Sequence, residues 1–170
     1  HEHNPEKARQ LLAEAGHPGG KDLPKLQILF NTSEAHKSIA EAVQEMWRKE
    51  LGIETELVNQ EWKVYLDTEH KLDYDVSRGG WIADYPDPYT FLSTFASWSE
   101  NNRTGWKNQR YDDLLAEAER TVDMKKRYEL FGQAETLMME EAPIIPIYHY
   151  TRVYLTQPSV KNWHPTFLDH

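Results

Sequence analysis

The sequence predicts an α/β fold in which helices flank a mixed β-sheet. The length of 170 residues is enough for one domain with a substantial core. Hydrophobic residues make up 39% of the chain and charged residues 28%, which is typical of a globular protein. A strand–helix–strand pattern covers residues 25–58, and a crossover of that length favours a parallel strand pair. Further helices and two later candidate strands complete the pattern.

The first third of the chain supplies most of the predicted sheet. A helix is predicted over residues 4–16, because it opens with Asn-Pro-Glu and ends at a glycine. Residues 25–30 form an apolar run of strand length. The next helix is predicted over 33–51, with Ser33 as its N-cap. A second strand, 53–58, alternates apolar and polar residues, so one of its faces is expected to contact water.

The rest of the chain is assigned by the same spacing rules. A long irregular stretch, residues 82–108, contains only a short helical piece. The other predicted elements are a helix at 61–69, a strand at 73–78, helices at 111–121 and 123–141, and closing strands at 144–150 and 152–155.

Composition and motifs exclude several classes of function. The formal net charge of −9, with lysine and arginine scattered along the chain, argues against nucleic-acid binding. The chain has no cysteine, which excludes thiol catalysis and sulfur-ligated zinc. Its 8 histidines show no metal-ligand spacing, and no phosphate-binding glycine loop or G-x-S-x-G turn is present. We therefore expect neither a metal nor a cofactor, and no apolar run is long enough to span a bilayer.

The most informative segment follows the predicted strand at 73–78. Gly79 and Gly80 have no side chain to block a second backbone, and Trp81 and Asp84 follow where α/β sheets place their ligand crevices. One interpretation is an extended ligand whose positive end meets Asp84 and whose body packs on Trp81. The other is a tight turn with a core tryptophan and a capping aspartate. The residues alone leave both open.

A catalytic interpretation rests on Asp84 and Asp87. Two carboxylates in one loop are the minimum for glycoside hydrolysis or for a metal site. No third ligand stands at a recognisable spacing, and aspartates in proline-rich turns more often act as caps. The prediction is therefore that the chain is not an enzyme.

Several longer segments together resemble the oligopeptide-binding proteins of ABC importers. They include NTSEAHKSIAEAVQEMWRKELGI, NQEWKVYLDT, DYDVSRGGWIADYPDP, NNRTGWKNQRYDDLLAEAE and APIIPIYHYTRVYL, and they cover most of the chain. The resemblance implies a type II periplasmic-binding-protein-like fold. It also implies that residues 1–170 form one lobe of a clamshell, opposite the lobe that carries the parent termini. Residues 157–170 would then be an irregular tail leading back to a companion lobe.

The resemblance also implies a set of ligand contacts. In that family an aspartate at the position of Asp84 pairs with the α-amino group of the peptide. The backbone around Gly80, Trp81 and Ile82 would face the ligand main chain. Capture through the main chain accepts many peptide sequences, because it does not depend on side-chain identity.

The opposite end of the peptide is expected to meet a second group of residues. Arg78 and His36 match positions where a peptide carboxylate can be bound, and Tyr150 matches a pocket-lining tyrosine. Glu69 departs from the family pattern, since it stands where a basic residue is expected. An acid at that place is expected to repel a peptide carboxylate and to change the preferred peptide length.

The implied partners are an oligopeptide, the membrane subunits of an ABC importer and the companion lobe. The implied location is extracytoplasmic, in the periplasm or at the cell surface on a lipid anchor. An isolated lobe is expected to bind peptide weakly and to self-associate through its exposed cleft face. Three other functions stay open: capture of a nickel chelate or short sugar on the same scaffold, a carboxylate-based hydrolase, and a module that docks another protein.

Overall fold

The chain divides into two compact units, His1–Gly80 and Trp81–His170. The structure, a computed structural model, describes residues 3–151 and 153–164. Each unit has its own hydrophobic core. That residues 1–170 form a single lobe, with a tail from residue 157, stays a prediction.

The first unit is built on a three-stranded parallel sheet. Its strands are β1 (Leu26–Asn31), β2 (Thr55–Gln60) and β3 (Val76–Ser77), in the order β2-β1-β3. The central strand β1 pairs with β2 along its full length, with Leu26 opposite Thr55. The edge strand β3 is only two residues long.

Three helices accompany this sheet: α1 (Pro5–Glu14), α2 (Glu34–Leu51) and α3 (Trp62–His70). Helix α2 connects β1 to β2, which confirms the predicted parallel β-α-β unit. One face of α2 packs on the sheet, because its apolar residues recur at helical spacing. The resulting core contains Ile28, Phe30 and Ala40, with Val43, Trp47, Leu57 and Val76 packed against it.

The second unit is largely helical. Helix α4 (Tyr89–Leu92) leads into a 3₁₀ turn and is followed by α5 (Gln109–Arg120) and α6 (Met124–Glu141). Helices α5 and α6 pack together around Tyr111, which is fully buried and whose hydroxyl donates to the carbonyl of Leu92 at 2.8 Å. The core of this unit is Leu92, Ala96, Tyr111, Leu115, Ala118, Leu130, Phe131, Ala134 and Met138.

The sheet differs from the predicted mixed sheet, since every strand pair within the described residues is parallel. Residues 144–150, predicted as a closing strand, are neither strand nor helix. Pro146 has no N–H to donate, and Ile145 and Ile147 are 65% and 57% exposed, so the segment has no ladder and little burial among the described residues. The strand predicted at 152–155 is absent from the described residues 153–155, and residue 152 lies outside the described residues.

Helix ends account for the shifted strand boundaries. The N–H of Ile53 donates to the carbonyl of Trp47, so this residue closes α2 and β2 begins two residues later than predicted. Similarly, the N–H of Asp73 donates to the carbonyl of Thr68 and closes the end of α3. Strand β3 is correspondingly shorter than the predicted strand.

Two glycines allow the turn after α1 to lie against the end of α2. Gly52 ends α2 in the left-handed conformation, with φ of 68°. A Cβ built on Gly52 would lie 2.3 Å from the carbonyl oxygen of Gly19, and one built on Gly20 would lie 2.1 Å from the carbonyl oxygen of Gly52. Only glycine satisfies both the backbone conformation and the available space here.

We expect Gly52→Ala to lower the free energy of unfolding by about 2 kcal/mol or more, because it adds left-handed strain and a clash with Gly19. Gly132→Ala is the matched control: Gly132 lies inside α6, and a Cβ there meets nothing within 4 Å. The control should raise the free energy of unfolding by about 1 kcal/mol. Urea unfolding followed by circular dichroism measures both, and a loss of equal size in the two variants would contradict the packing described here.

Candidate ligand-binding site

The main chain of Arg78 is bonded to its own fold on both sides. Its N–H donates to the carbonyl of Leu29 in β1 at 2.8 Å. Its carbonyl oxygen lies 2.9 Å from the hydroxyl of Tyr65 in α3. Arg78 therefore marks the last residue of the first unit whose backbone is secured by the sheet and its flanking helix.

The residues directly after Arg78 have free main-chain groups. Within the described part of the chain, the N–H groups of Gly79, Gly80, Trp81 and Ile82 make no hydrogen bond to protein. Gly79 and Gly80 are exposed, and a Cβ on Gly79 would meet nothing within 4 Å. Backbone groups of this kind need either water or an added chain as partner.

His36 and Arg78, both predicted to face a carboxylate, interact electrostatically within the first unit. His36 lies in the first turn of α2, half-buried, with Nδ1 3.3 Å from the carbonyl oxygen of Asn31. Burial lowers the pKa of His36 below its usual 6.5, and the positive charge of Arg78 lowers the pKa further. A carbonyl only accepts, so Nδ1 carries the proton and neutral His36 presents Nε2 as an acceptor.

Glu69 is buried inside the fold, although the family resemblance led us to expect this acid at the ligand surface. Glu69 is only 8% exposed, and its Oε1 lies 2.6 Å from the Tyr65 hydroxyl and 2.6 Å from the Ser77 hydroxyl. Burial and the bond to Glu69 raise the pKa of Tyr65. Glu69 therefore belongs to a buried hydrogen-bond network, and the expectation that it repels a ligand carboxylate directly does not fit its position.

In the second unit, Asp84 caps a turn, which is one of the two interpretations that its sequence context left open. Its N–H donates to Thr90 Oγ1 at 3.1 Å, and its Oδ2 lies 3.2 Å from the same hydroxyl, which donates to it. Thr90 is buried, 3% exposed, whereas Asp84 is exposed. The aspartate thus fixes a turn and still presents its carboxylate to solvent.

Asp87 is held quite differently from Asp84. Arg127 reaches both of its carboxylate oxygens, at 2.5 and 2.9 Å, and the N–H of Tyr89 donates to Oδ1 at 2.9 Å. The bond to Arg127 is the main reason why the pKa of Asp87 is lowered. A general acid needs the opposite shift, so Asp87 is poorly suited to the acid role of a hydrolase.

The other predicted site residues of the second unit are Trp81, Ile82 and Tyr150. Trp81 is half-buried, and its indole Nε1 is buried without a partner among the described residues. Ile82 is 70% exposed. Tyr150 is 52% exposed and packs edge-on against Tyr148, with ring centroids 5.1 Å apart. An exposed isoleucine and exposed tyrosines are available to cover an apolar ligand surface.

Sequence reasoning missed the side-chain hydrogen bonds that hold the strand end at Arg78 and the loop around Asp84. Tyr65 and Glu69 are four residues apart on a helix, a spacing that could have indicated a shared face. Thr90 and Arg127 gave no such signal, because their partnerships depend on the folded loop and on contacts distant in sequence. Within residues 3–151 and 153–164, no cluster of three potential metal-ligating side chains occurs, and no helix has the length and apolarity needed to cross a membrane.

Comparison with known proteins assigns the chain to one family. The family model described as bacterial extracellular solute-binding proteins, family 5 Middle, matches residues 1–103. This range includes every predicted site residue except Tyr150. The chain is 43% identical to the oligopeptide-binding protein OppA of Bacillus subtilis over 151 residues, which is 88% of this chain and 28% of that protein.

Solved structures agree with the sequence comparison. The Escherichia coli murein tripeptide binding protein MppA is 43% identical, with a TM-score of 0.83 over 86% of this chain and 28% of that one. Haemophilus influenzae OppA, solved in complex with RPPGFSPFR, is 39% identical, with a TM-score of 0.81 over 86% of this chain and 29% of that one. The fold is thus that of type II periplasmic binding proteins, as predicted, and the chain spans about 28% of the length of such relatives.

We expect the imidazole of His36 to titrate below pH 6.5, and Arg78→Gln to raise its midpoint, because a positive charge is removed while burial remains. Nuclear magnetic resonance titration measures this directly. Arg48→Gln is the control, since Arg48 lies on the same helix about 18 Å further along. An equal response to both substitutions would contradict the proximity of His36 and Arg78.

With a lowered folded-state pKa, the contribution of His36 to stability is present above pH 6.5 and is lost as the pH falls through that lowered pKa.

Proposed function

We propose, on the premise that this chain belongs to the bacterial extracellular solute-binding proteins of family 5, that it forms one half of a peptide-capture protein serving an ABC importer. The observation that carries the proposal is the free backbone of Gly79 to Ile82, which follows a strand end secured at Arg78 and precedes the exposed Asp84. An extended peptide supplies the donors and acceptors that such a backbone lacks.

Asp84 binds the α-amino group of the peptide. An ammonium and an exposed carboxylate form a charge-assisted hydrogen bond, which is stronger than a neutral one. Thr90 holds one carboxylate oxygen and the N–H of Asp84, so the acid is oriented before the ligand arrives. Less rotational freedom is then lost on binding.

Arg78 and His36 meet the carboxyl end of shorter peptides. Since His36 is neutral at pH 7 and its Nε2 is an acceptor, it donates to a carboxylate only after taking up a proton. The negative charge of the ligand favours that protonation. Trp81, Ile82 and Tyr150 contribute apolar walls that tolerate different side chains.

The whole protein works outside the cytoplasm, in the periplasm or on a lipid anchor at the cell surface. Its partners are an oligopeptide, the membrane subunits of the importer and a companion lobe that closes over the ligand. The family consists of substrate-binding proteins, and the ion pair of Asp87 with Arg127 supports a non-enzymatic reading of the Asp84 loop.

We expect Asp84→Asn to weaken binding of a peptide with a free α-amino group by about 10- to 100-fold, because one charge-assisted bond is lost. Binding of the same peptide with an acetylated amino group should change little. Calorimetry on the protein encoded by the complete reading frame measures both, with Asp113→Asn, an exposed acid on α5, as control. Equal losses for the free and the acetylated peptide would argue against the pairing.

The 170-residue chain alone should bind short peptides with a Kd of about 1 mM or weaker, which is only about −4 kcal/mol. It covers one side of the ligand and lacks closure. Isothermal titration with a short-peptide library tests this, and micromolar binding would refute it.

Sedimentation at high concentration tests the accompanying proposal that the exposed cleft face self-associates; a clean monomer would count against it.

A further inference from the structure

A network of three side chains, two of them buried and one half-buried, lies next to the strand end at Arg78. Helix α3 supplies Tyr65 and Glu69 one turn apart, and β3 supplies Ser77. Glu69 Oε1 is 2.6 Å from each of the two hydroxyls, and the hydroxyls are 3.3 Å from each other. Three polar groups thus converge at one point inside the first unit.

The network is costly to disturb, because a buried carboxylate is stable only when its oxygens are hydrogen-bonded. Tyr65 is 3% exposed and Glu69 8% exposed, so water replaces a lost hydroxyl poorly. Trp62 stacks on the Tyr65 ring at a centroid distance of 5.7 Å and restricts it further. The position of the Tyr65 hydroxyl is therefore narrowly defined.

The same hydroxyl reaches the backbone that leads to the ligand segment. The Tyr65 hydroxyl lies 2.9 Å from the Arg78 carbonyl oxygen and 2.6 Å from Glu69 Oε1, so its single proton is shared between these two acceptors. Strand β3 is an edge strand of two residues, so the sheet ladder alone gives the chain little hold at this point. The side-chain network takes over where the ladder ends.

We propose that Tyr65, Glu69 and Ser77 are positioning residues that set the direction in which Gly79 and Gly80 leave the sheet, and thereby the affinity for extended peptides. This inference rests on the proposed function. The three residues act through the Arg78 backbone and do not touch the ligand, so their effect is the same for every peptide that uses this backbone.

This role differs in a measurable way from direct reading of a ligand charge by Glu69. A carboxylate that faced the ligand would favour amidated peptides over free carboxylates, and Glu69→Gln would remove that preference. A buried positioning acid affects both kinds of peptide equally. The ratio of the two affinities separates these mechanisms.

The experiment compares Tyr65→Phe, Ser77→Ala and Glu69→Gln in the protein encoded by the complete reading frame. Tyr128→Phe is the matched control, because Tyr128 is 51% exposed on α6. For each folded variant, calorimetry gives the Kd for one peptide with a free and with an amidated carboxyl end. Hydrogen exchange of the Arg78 amide, which bonds to Leu29, reports on the strand end without any ligand.

We expect roughly 3- to 10-fold weaker binding of both peptides, an unchanged ratio between them, and faster exchange at Arg78 while amides of α5 and α6 keep their rates. Unchanged Kd and unchanged exchange in Ser77→Ala, the smallest alteration, would overturn the inference even if Tyr65→Phe fails to fold. A changed ratio in Glu69→Gln would overturn it in favour of direct reading. If the unaltered protein binds neither peptide, the proposed function itself fails, and the exchange rates then show separately whether the network holds the strand end.

Discussion

The fold and the candidate site depend on one constraint, the need of every backbone N–H and carbonyl for a partner. Within the sheet the ladder between β1 and its neighbours meets that need. At Arg78 the ladder ends, and the Leu29 carbonyl and the Tyr65 hydroxyl complete it. The next residues have no partner in the described protein, so their hydrogen bonds go to solvent or to a ligand. The proposed surface for extended chains begins where the sheet stops.

The two aspartates of the following loop show how partners decide the role of a side chain. Both carboxylate oxygens of Asp87 accept bonds from the Arg127 guanidinium, which lowers the pKa of Asp87. Asp84, three residues earlier, bonds only to the Thr90 hydroxyl among the described residues and stays exposed. Sequence analysis paired the two acids only in the catalytic interpretation and named Asp84 alone as a ligand contact. The bonds from Arg127 hold Asp87 within the fold, and Asp84 keeps an exposed carboxylate, as the proposed contact with an α-amino group requires.

Local patterns predicted the elements whose order depends on neighbours in sequence. Helix α2 and strand β1 lie within a residue of their predicted bounds, because apolar spacing and a terminal glycine determine them. Strand β2 begins later than predicted, because the N–H of Ile53 donates to the carbonyl of Trp47 at the end of α2. The prediction of a closing strand at 144–150 was wrong for a different reason: strand propensity does not supply a partner strand, and residues 144–150 form no strand in the described structure. The expectation that Glu69 repels a ligand carboxylate directly does not fit the structure either, since burial of a side chain depends on tertiary packing.

The charge arrangement also bears on the proposed capture of peptides, which carry charges of both signs. With a formal net charge of −9, the protein repels free carboxylates on average, so the carboxyl end needs a local source of positive charge. Arg78 is a permanent positive charge, and it adds to the burial that lowers the pKa of His36. A bound carboxylate would offset that charge and let His36 take up a proton. The positive charge near the carboxyl end would then be greatest only when an anion is present.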